Sequence, residues 1–380
     1  MLGRFWQKAR IGLFIVLWTF TALTAPVSVS AAPYAAIVMD ARTGEILHSR
    51  NADTRLHPAS LTKMMTLYIA FQAIERGEIT LDTPVKITSE AANEPPSKLG
   101  LRVGQEIRLR YLIRAAAVKS ANDAATAIGI ALEGSEAAFA RRMNRTAAAM
   151  GMTRTTFRNA NGLTETGHLS TANDMSILGR HLIYDFPQYY NLFSRRSADA
   201  GIAQVNNTNR RFLDAYRGAD GIKTGYTRAA GYNLVASAER GSERIIATVF
   251  GGSSTADRNA KVSELLDMGF ARAQQNVKIV MPSMGAMPAD NTVVVASASE
   301  STQGTAGKTI RITGLVTTSL RPAARPTAAS APLQVAEADT IAEALEMAKT
   351  AGMQGAEVSR RWPARYLLAW ERKGSQVPAT

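Results

Sequence analysis

Ser60 and Lys63 stand at the start of an apolar run, HPASLTKMMTLYIA, as a hydroxyl and an amine three residues apart. On a helix, residues at this spacing share a face, with Cβ atoms about 5–6 Å apart. A serine hydroxyl is a poor nucleophile until a base takes its proton, and lysine becomes that base when burial or a second cation lowers its pKa. A helix N-terminus would also stabilise an oxyanion. A capping serine beside a solvated lysine would give the same pattern.

Two further groups of polar residues suit the same chemistry. The stretch VKSANDAAT places Ser120 and Asn122 at a predicted corner between helices, where they could relay a proton and hold a substrate amide. The stretch GADGIKTGYT places Lys223, Thr224 and Gly225 before a predicted hairpin, where an anion could dock against an edge strand. An N-cap and a plain turn are the structural alternatives. Because all three groups occur in one chain, the chemical interpretation is favoured over coincidence.

The elements that would position these groups follow from hydrophobic periodicity. The segment YAAIVMDARTGEILHSRNAD predicts two strands joined by a turn at its RTG sequence. A helix is predicted to begin at Pro58 and to end at Gly77. Residues 107–151 predict two or three packed helices, broken at Ser120 and Gly134.

The following part of the chain combines a loop, two helices and a hairpin. NANGLTETGHLS predicts a loop, and STANDMSILGRHLI predicts a helix with a Ser/Thr cap. The apolar runs GYNLVASAE and RIIATVFGG are joined by a short polar connection and predict an antiparallel hairpin. ADRNAKVSELLDMGFARAQ predicts the amphipathic helix that closes this region.

Composition narrows the class of protein. The chain has 380 residues, 46% of them hydrophobic, and it has no cysteine. This excludes disulfides and thiol catalysis and argues against a structural zinc site. The formal charge of +13 suits an anionic polymer or an anionic membrane face. No zinc-finger spacing or RNA-recognition motif supports nucleic acid as that polymer.

The two ends of the chain predict export and a separate tail. Residues 1–32 have the basic, apolar and small-residue regions of a secretory signal peptide, with cleavage after Ala31 or Ala32. An uncleaved anchor is the alternative. Residues 276–335 are largely Ala, Ser, Thr, Pro and Gly and predict a linker or weakly ordered chain. Residues 336–380 predict a small helical segment, and its end, RRWPARYLLAWERK, fits either membrane-surface contact or a packed mini-domain.

Ser-x-x-Lys, Ser-x-Asn and Lys-Thr-Gly together are the motif set of penicillin-binding proteins and serine β-lactamases. Over residues 33–275 the chain resembles the low-molecular-weight D-alanyl-D-alanine carboxypeptidases of serine peptidase family S11, with HPASLTKMMT, SANDAA, FRNANGL, HLSTANDM and GIKTGYTRAAGYNLVASA. The resemblance implies an α/β (α+β) class with a β-lactamase/transpeptidase-like fold. In this catalytic domain an antiparallel sheet from both ends of the region would be flanked by helices, with a helical lobe inserted and Ser60 in the cleft between them. The C-terminal extension is poorly matched.

The resemblance also implies the reaction. Ser60 would attack the carbonyl between the two terminal D-alanines of a peptidoglycan stem peptide, and Lys63 would take its proton. Ser120 would shuttle a proton to the leaving D-alanine, and water would release the acyl-enzyme. Penicillin would acylate Ser60 and leave slowly. No metal or organic cofactor is required, and the implied partners are stem peptides ending in D-Ala-D-Ala and β-lactam antibiotics, without nucleic acid.

The resemblance implies substrate-binding positions as well, and these are Asn122, Lys223, Thr224, Gly225, Tyr226 and Arg258. Asn122 would bond the substrate backbone, and Lys223 with Thr224 would bind the terminal carboxylate. The backbone N–H groups of Ser60 and Tyr226 would form the oxyanion hole. His168 and Asp174 match supporting positions near the site. An exported, periplasmic location is implied, with or without peripheral contact at the inner membrane.

Three other functions stay open on this fold. The motif set does not fix the acyl acceptor, so a peptidoglycan DD-endopeptidase or transpeptidase is one alternative. A β-lactamase is the second, and Glu165 is its candidate deacylating glutamate, although Glu165 is not set in a Glu-Pro-x-x-x-Asn pattern. A non-catalytic wall-binding protein is the third, because a fold does not by itself imply an activity.

Overall fold

The computed structural model describes residues 33–289 of the chain. In chain order, the strands of this range are β1 Ala35–Asp40, β2 Ile46–Arg50, β3 Pro84–Lys86, β4 Glu106–Arg108, β5 Ser197–Asp199, β6 Gln204–Asn206, β7 Ala219–Thr227, β8 Gly231–Arg240 and β9 Glu243–Gly252. Within residues 33–289, five of them form an antiparallel sheet in the order β2-β1-β9-β8-β7. Both predicted hairpins are confirmed, and β1 pairs with β9 from the other end of the domain.

In chain order, the α-helices of residues 33–289 are α1 Lys63–Glu75, α2 Ser89–Ala92, α3 Leu109–Arg114, α4 Asn122–Glu133, α5 Glu136–Ala149, α6 Ala172–Asp185, α7 Pro187–Tyr190, α8 Arg210–Ala215 and α9 Thr255–Arg272. Helices α6 and α9 cover the two faces of the sheet. The closing helix α9 packs on β8 and β9, while α6 packs on β1 and β9 and also against α1. The predicted α/β class, with an antiparallel sheet flanked by helices, is confirmed.

Strand β1 shows how the sheet is buried on both sides. All six of its residues are buried, and alternate side chains enter two different cores. Ile37 and Met39 belong to the core that contains α1 and α6, whereas Ala36 and Val38 pack with Leu266 and its neighbours on α9. A strand covered on both faces has a continuous apolar sequence instead of an alternating one, which explains AAIVMD.

The predicted helix from Pro58 to Gly77 is confirmed in place, but it has two parts. Its first turn, Ala59–Thr62, is a 3-10 helix, and regular α-helix begins only at Lys63. Ala59 has a φ angle of +50°, which no α-helical residue adopts, so the α-helix cannot extend back through it. From Lys63 to Ala73 every residue of α1 is buried, as expected for a helix at the centre of a domain.

The helical lobe interrupts the sheet between β2 and β7. The predicted breaks at Ser120 and Gly134 are confirmed, because both residues have left-handed backbone conformations, with φ angles of +63° and +77°. Between α3 and Ser120, residues Ala115–Lys119 form a π-helical turn. Such turns are rare and frequent at functional sites. This turn brings Ser120 to the edge of the sheet.

Residues 276–289 follow α9 as extended chain along the domain. Val280 N donates to Arg42 O (2.8 Å), and Gly285 N donates to Ala149 O (2.7 Å). The domain limits at 275 and 335 stay predictions. The predicted signal peptide of residues 1–32, and the predictions for residues 290–380, lie outside the described residues. No helix within residues 33–289 is long and apolar enough to cross a membrane.

Candidate active site

Ser60 lies in the 3-10 turn before α1, against the edge strand β7. The preceding Ala59 has a positive φ angle. Asn233 of β8 holds this turn, because its Nδ2 atom donates to the main-chain oxygen of Pro58 (3.3 Å). Strand β7 comes so close that a Cβ atom at Gly225 would lie 3.2 Å from Ser60 N. The absence of a side chain at Gly225 therefore allows Ser60 and the strand to meet.

Lys63 lies one turn further along and is completely buried. Its Nζ atom is 3.1 Å from Ser60 Oγ. The same atom donates to Asn122 Oδ1 (2.7 Å) and to the main-chain oxygen of Asn161 (2.6 Å). An uncharged amine that donates to these two oxygens keeps its lone pair for the Ser60 hydroxyl proton. The predicted contact between hydroxyl and amine is present, and the alternative of a solvated lysine is wrong.

The electrostatics favour this uncharged form. Burial is the first cause that lowers the pKa of Lys63 well below its usual value, and the positive charge of Lys223 lowers it further. The carboxylates of Glu94 and Asp123 act in the opposite direction. A lowered pKa is what a lysine needs in order to act as a general base.

Ser120 and Lys223 form a second hydroxyl–amine pair across the cleft. Lys223 Nζ donates to Ser120 Oγ (2.8 Å) and to the main-chain oxygen of Thr224 (3.2 Å). Lys223 is buried on β7, and burial followed by the charge of Arg258 lowers its pKa to about 7. The left-handed conformation of Ser120 points its hydroxyl at this amine.

Asn122 links the helical lobe to Lys63 through hydrogen bonds of its side chain. Its Oδ1 atom accepts from Lys63, and its Nδ2 atom donates to the main-chain oxygen of Pro95 (2.8 Å). Its main-chain N donates to Ser97 O (2.7 Å). One N–H of the side-chain amide stays available on the cleft side. Asn122 thus positions the amine in addition to any contact with a substrate.

A cleft of about 370 Å³ opens above these groups. The predicted site residues that line it are Ser60, Ser120, Asn122, Thr224, Gly225, Tyr226 and Arg258. The two lysine amines lie beneath its floor, buried and bonded to the hydroxyls that face it. The structure therefore brings all three motifs together at one cavity. Within residues 33–289 no group of His, Asp or Glu is placed to hold a metal ion.

The far end of the cleft is cationic and aromatic. Arg258 on α9 is buried, donates to Asn259 Oδ1 (2.8 Å), and has its pKa lowered to about 10 chiefly by burial. Thr224 Oγ1 shares a hydrogen bond with Thr208 Oγ1 (2.9 Å). Tyr226 is exposed and packs on Tyr232, with ring centroids 4.3 Å apart. This end can receive an anionic group.

The two supporting residues, His168 and Asp174, lie outside the cleft. His168 Nε2 is 2.9 Å from Thr62 Oγ1, and burial lowers the pKa of His168 to about 4. Its Nδ1 atom accepts from Arg158 N (3.3 Å), so the neutral ring donates from Nε2 and braces the turn after Ser60. Asp174 accepts from Thr155 Oγ1 (2.6 Å) in a separate loop network.

Glu165 also lies outside the cleft, contrary to what a deacylating glutamate requires. It is exposed, and its Oε2 atom accepts from Asn159 Nδ2 (3.1 Å). The carboxylate of Glu165 is not among the groups that line the cleft above Ser60.

Sequence reasoning missed two residues that shape the site. Asn161 contributes a main-chain carbonyl, for which a side-chain type gives no signal. Asn233 holds the turn of Ser60 from near the start of β8, and its Oδ1 atom accepts from Gly251 N (3.0 Å). A polar amide inside the apolar run GYNLVASA was the available signal, because a buried amide in a strand needs partners.

The fold of the described domain is that of solved penicillin-binding proteins. Among solved structures, penicillin-binding protein 5 from Haemophilus influenzae is similar, with 35% identity, a TM-score of 0.61, and coverage of 65% of this chain and 73% of the other. Penicillin-binding protein D2 from Listeria monocytogenes in its cefotaxime-bound form has 32% identity and a TM-score of 0.57, and covers 62% of this chain and 96% of the other.

The family follows from the sequence comparison. The profile of the D-alanyl-D-alanine carboxypeptidases, peptidase family S11, matches residues 21–254, so this chain belongs to that family. D-alanyl-D-alanine carboxypeptidase DacF of Bacillus subtilis is 38% identical over 242 residues. The match covers 62% of this chain and 62% of that relative, so less than two thirds of the relative's length is spanned.

Proposed function

We propose that this protein is a serine-type D-Ala-D-Ala carboxypeptidase that removes the terminal D-alanine from peptidoglycan stem pentapeptides. One observation carries the proposal: a completely buried lysine amine lies 3.1 Å from the hydroxyl of Ser60 at the base of an open cleft. Membership of the D-alanyl-D-alanine carboxypeptidase family supports the choice of substrate.

Acylation begins when Ser60 Oγ attacks the carbonyl carbon between the two D-alanines and Lys63 takes the hydroxyl proton. The tetrahedral oxyanion is stabilised by the main-chain N–H groups of Ser60 and Tyr226, and the approach of Gly225 to Ser60 N supports this pairing. The C–N bond then breaks, and Ser120 delivers its hydroxyl proton to the departing amine while the proton held by Lys63 replaces it. Water then attacks the acyl carbonyl as the uncharged Lys63 takes a proton from it, and the ester bond breaks with return of that proton to Ser60 Oγ.

The substrate's terminal carboxylate is held at the cationic end of the cleft. Lys223 and Arg258 supply the positive potential, and the Thr224 hydroxyl supplies a donor. Burial lowers the pKa of both cations, and neither is bonded to a carboxylate in the described structure. A substrate carboxylate would offset the free-energy cost of burying these charges. These groups give the site its preference for a free C-terminus.

β-Lactams acylate the same serine and are released slowly. The position of Glu165, exposed and outside the cleft, supports slow deacylation in place of β-lactamase turnover. A relative with similar architecture is described in a cefotaxime-bound form. The enzyme acts in cell-wall remodelling from the periplasmic side, in keeping with the predicted export signal.

Intact-mass spectrometry tests the proposal directly. The mature protein and its Ser60→Ala variant are incubated with benzylpenicillin and, separately, with diacetyl-Lys-D-Ala-D-Ala. A long-lived penicilloyl adduct on the wild type alone, with loss of one D-alanine from the peptide, is expected. Rapid penicillin turnover with intact peptide would assign a β-lactamase, and inertness toward both compounds would favour a wall-binding protein.

A further inference from the structure

A single loop holds both oxygens that orient Lys63. The Lys63 amine donates to Asn122 Oδ1 and to Asn161 O. Asn122 is anchored to the main chain at Pro95 and Ser97. Asn161 is anchored to Glu94, the residue that precedes Pro95. Residues 94–97 therefore lie behind the proposed base and fix both of its acceptors.

Glu94 forms the centre of this arrangement. Its Oε1 atom accepts from Asn161 Nδ2 (2.8 Å) and from Thr126 Oγ1 (2.8 Å). Asn161 Nδ2 also donates to Thr126 Oγ1 (3.0 Å), which closes a three-membered network. Asn161 Oδ1 accepts from Leu163 N (2.9 Å). With both ends of its side chain bonded, Asn161 has its main-chain carbonyl held toward Lys63.

The charges around Glu94 distinguish it from its neighbours. Burial raises the pKa of Glu94, the charges of Glu90 and Asp123 raise it as well, and the Lys63 charge lowers it. In return, Glu94 and Asp123 are the carboxylates whose charges raise the pKa of Lys63. The carboxyl of Glu136 lies close to Glu94, because its Oε1 atom accepts from the same Thr126 hydroxyl (3.5 Å), but its other partner is Ala160 N, whereas Glu94 bonds Asn161.

We propose that Glu94 is a positioning residue for the acylation step: it holds the Asn161 carbonyl against Lys63, and its negative charge sets how readily the amine gives up its proton. The inference rests on the proposed function, in which Lys63 is the base for Ser60. The carboxylate acts on the amine across Asn161 and does not reach the cleft, whose lining residues do not include it. It therefore acts through Lys63 and not on a substrate.

The charge is tested by the pH dependence of acylation. Second-order rate constants for acylation by a fluorescent penicillin are measured from pH 4 to pH 9 for the wild type, Glu94→Gln and Glu136→Gln. Glutamine keeps an oxygen that can accept from Asn161 and removes only the charge. The Lys63 ammonium then loses an attractive partner, so the acidic limb of Glu94→Gln is expected to move to lower pH by about 0.5–1 unit.

Glu136→Gln is the matched control, since it removes a carboxylate that, like Glu94, is partly buried and that bonds Ala160 N (3.1 Å) beside the same threonine. Its acidic limb should coincide with that of the wild type. Glu94→Asp keeps the charge, but its side chain is too short to reach Asn161. Its plateau rate of acylation should therefore fall by about tenfold, while its acidic limb should stay near the pH of the wild-type limb. This second variant separates position from charge, and thermal unfolding checks that each variant is folded.

The outcomes separate this inference from the proposed function. If the wild type is not acylated at any pH, the proposed function fails. If the wild type is acylated and the limb of Glu94→Gln stays in place, or moves equally in Glu136→Gln, the role of the Glu94 charge is overturned. An unchanged plateau in a folded Glu94→Asp overturns the positioning role.

Discussion

At the scale of single residues, the two buried lysines differ in what each amine touches. Lys63 lies beside Ser60 and two amide oxygens, whereas Lys223 lies beside Ser120. Burial lowers the pKa of both, and Lys223 lowers that of Lys63 further. The lowered pKa of Lys63 favours the uncharged amine, the form that can accept a proton. Lys223, with a pKa of about 7, is still partly charged and can attract a carboxylate.

Lys63→Ala is expected to remove acylation and to leave the fold intact. The variant lacks the base for Ser60, and general bases typically contribute about 10²–10⁴-fold to a rate. Stopped-flow acylation by a fluorescent penicillin measures the loss, and a thermal unfolding curve of the same sample is the control. Wild-type acylation rates in Lys63→Ala would refute the role of Lys63 as general base.

The pKa of Lys223 predicts a basic limit to peptide hydrolysis. Above about pH 7 the free enzyme loses the ammonium form that attracts the substrate carboxylate, so kcat/KM for diacetyl-Lys-D-Ala-D-Ala should fall. The fall should approach about tenfold per pH unit well above that pKa. The same peptide with a C-terminal amide has no carboxylate to attract, so its lower kcat/KM should lack this limb. An identical basic limb of kcat/KM with both peptides would show that Lys223 does not bind the carboxylate.

Residue types and spacing predicted the local contact of a hydroxyl with an amine but not the contacts between groups that are distant in the chain. Ser60 with Lys63 follows from helical spacing, and their contact is confirmed at 3.1 Å. The contact of Lys223 with Ser120 joins residues more than a hundred positions apart, so no local pattern contains it. No local pattern indicates the contact of the Asn161 carbonyl with Lys63 either, because every residue type has a main-chain carbonyl. The sequence could name the chemical groups, whereas the geometry depends on the tertiary structure.

At the scale of elements, the loop that carries Asn161 is fitted against the turn that carries the nucleophile. Gly162 has a φ angle of +87°, and a Cβ atom built there would overlap the carbonyl oxygen of Ala59. Gly162→Ala should destabilise the fold through backbone strain of about 1–2 kcal/mol and overpacking of about 1–3 kcal/mol. Because the displaced backbone belongs to Ala59, acylation at Ser60 should fall by about tenfold or more.

Gly167→Ala is the matched control from the same loop. Gly167 also has a positive φ angle, +81°, but a Cβ atom there would meet only the flexible end of Arg158, at 3.4 Å. The control should show the strain alone, with near-normal acylation in the folded protein. Chemical denaturation gives the two free energies of unfolding, and equal losses of stability and rate in both variants would contradict the close fit of Gly162.

The breaks between elements were more predictable than the geometry inside them. Gly134 ends α4 because glycine adopts the left-handed conformation without a Cβ penalty. The turn from Ala115 to Lys119 has a good α-helical sequence, yet it forms a π-helical turn that ends at a left-handed serine. Local propensity gives no reason for this geometry. Ser120, which follows the turn, contacts Lys223 of a distant strand, and a window of neighbouring residues does not contain that contact.

At the scale of the whole domain, the sheet joins the two ends of the described chain. Strand β1 pairs along its length with β9, more than two hundred residues later, and α9 covers both. The apolar runs predicted strands, and the resemblance to a family implied an antiparallel sheet built from both ends of the region. The order β2-β1-β9-β8-β7 was not predicted and is given by the structure. This order places β7 at the edge, where its backbone can face a substrate.

The segment that follows α9 contacts residues from earlier parts of the domain, and truncation can test how much it contributes to stability. Residues 276–289 bond Arg42 and Ala149, and Met284 Sδ lies 3.2 Å from Tyr68 Oη, all outside the cleft. Val280 is 56% exposed, so the segment stabilises the domain mainly through these polar contacts.

A chain that ends at residue 275 should therefore unfold at a free energy about 1–3 kcal/mol lower than a chain that ends at residue 289. Both truncated chains lack the same tail, so the difference reports the segment alone. Acylation of Ser60 by penicillin should agree within about twofold between them, because contacts distant from the cleft act independently of it. Equal stabilities would mean that the segment adds nothing to the domain, and a large loss of acylation would mean that the cleft depends on it.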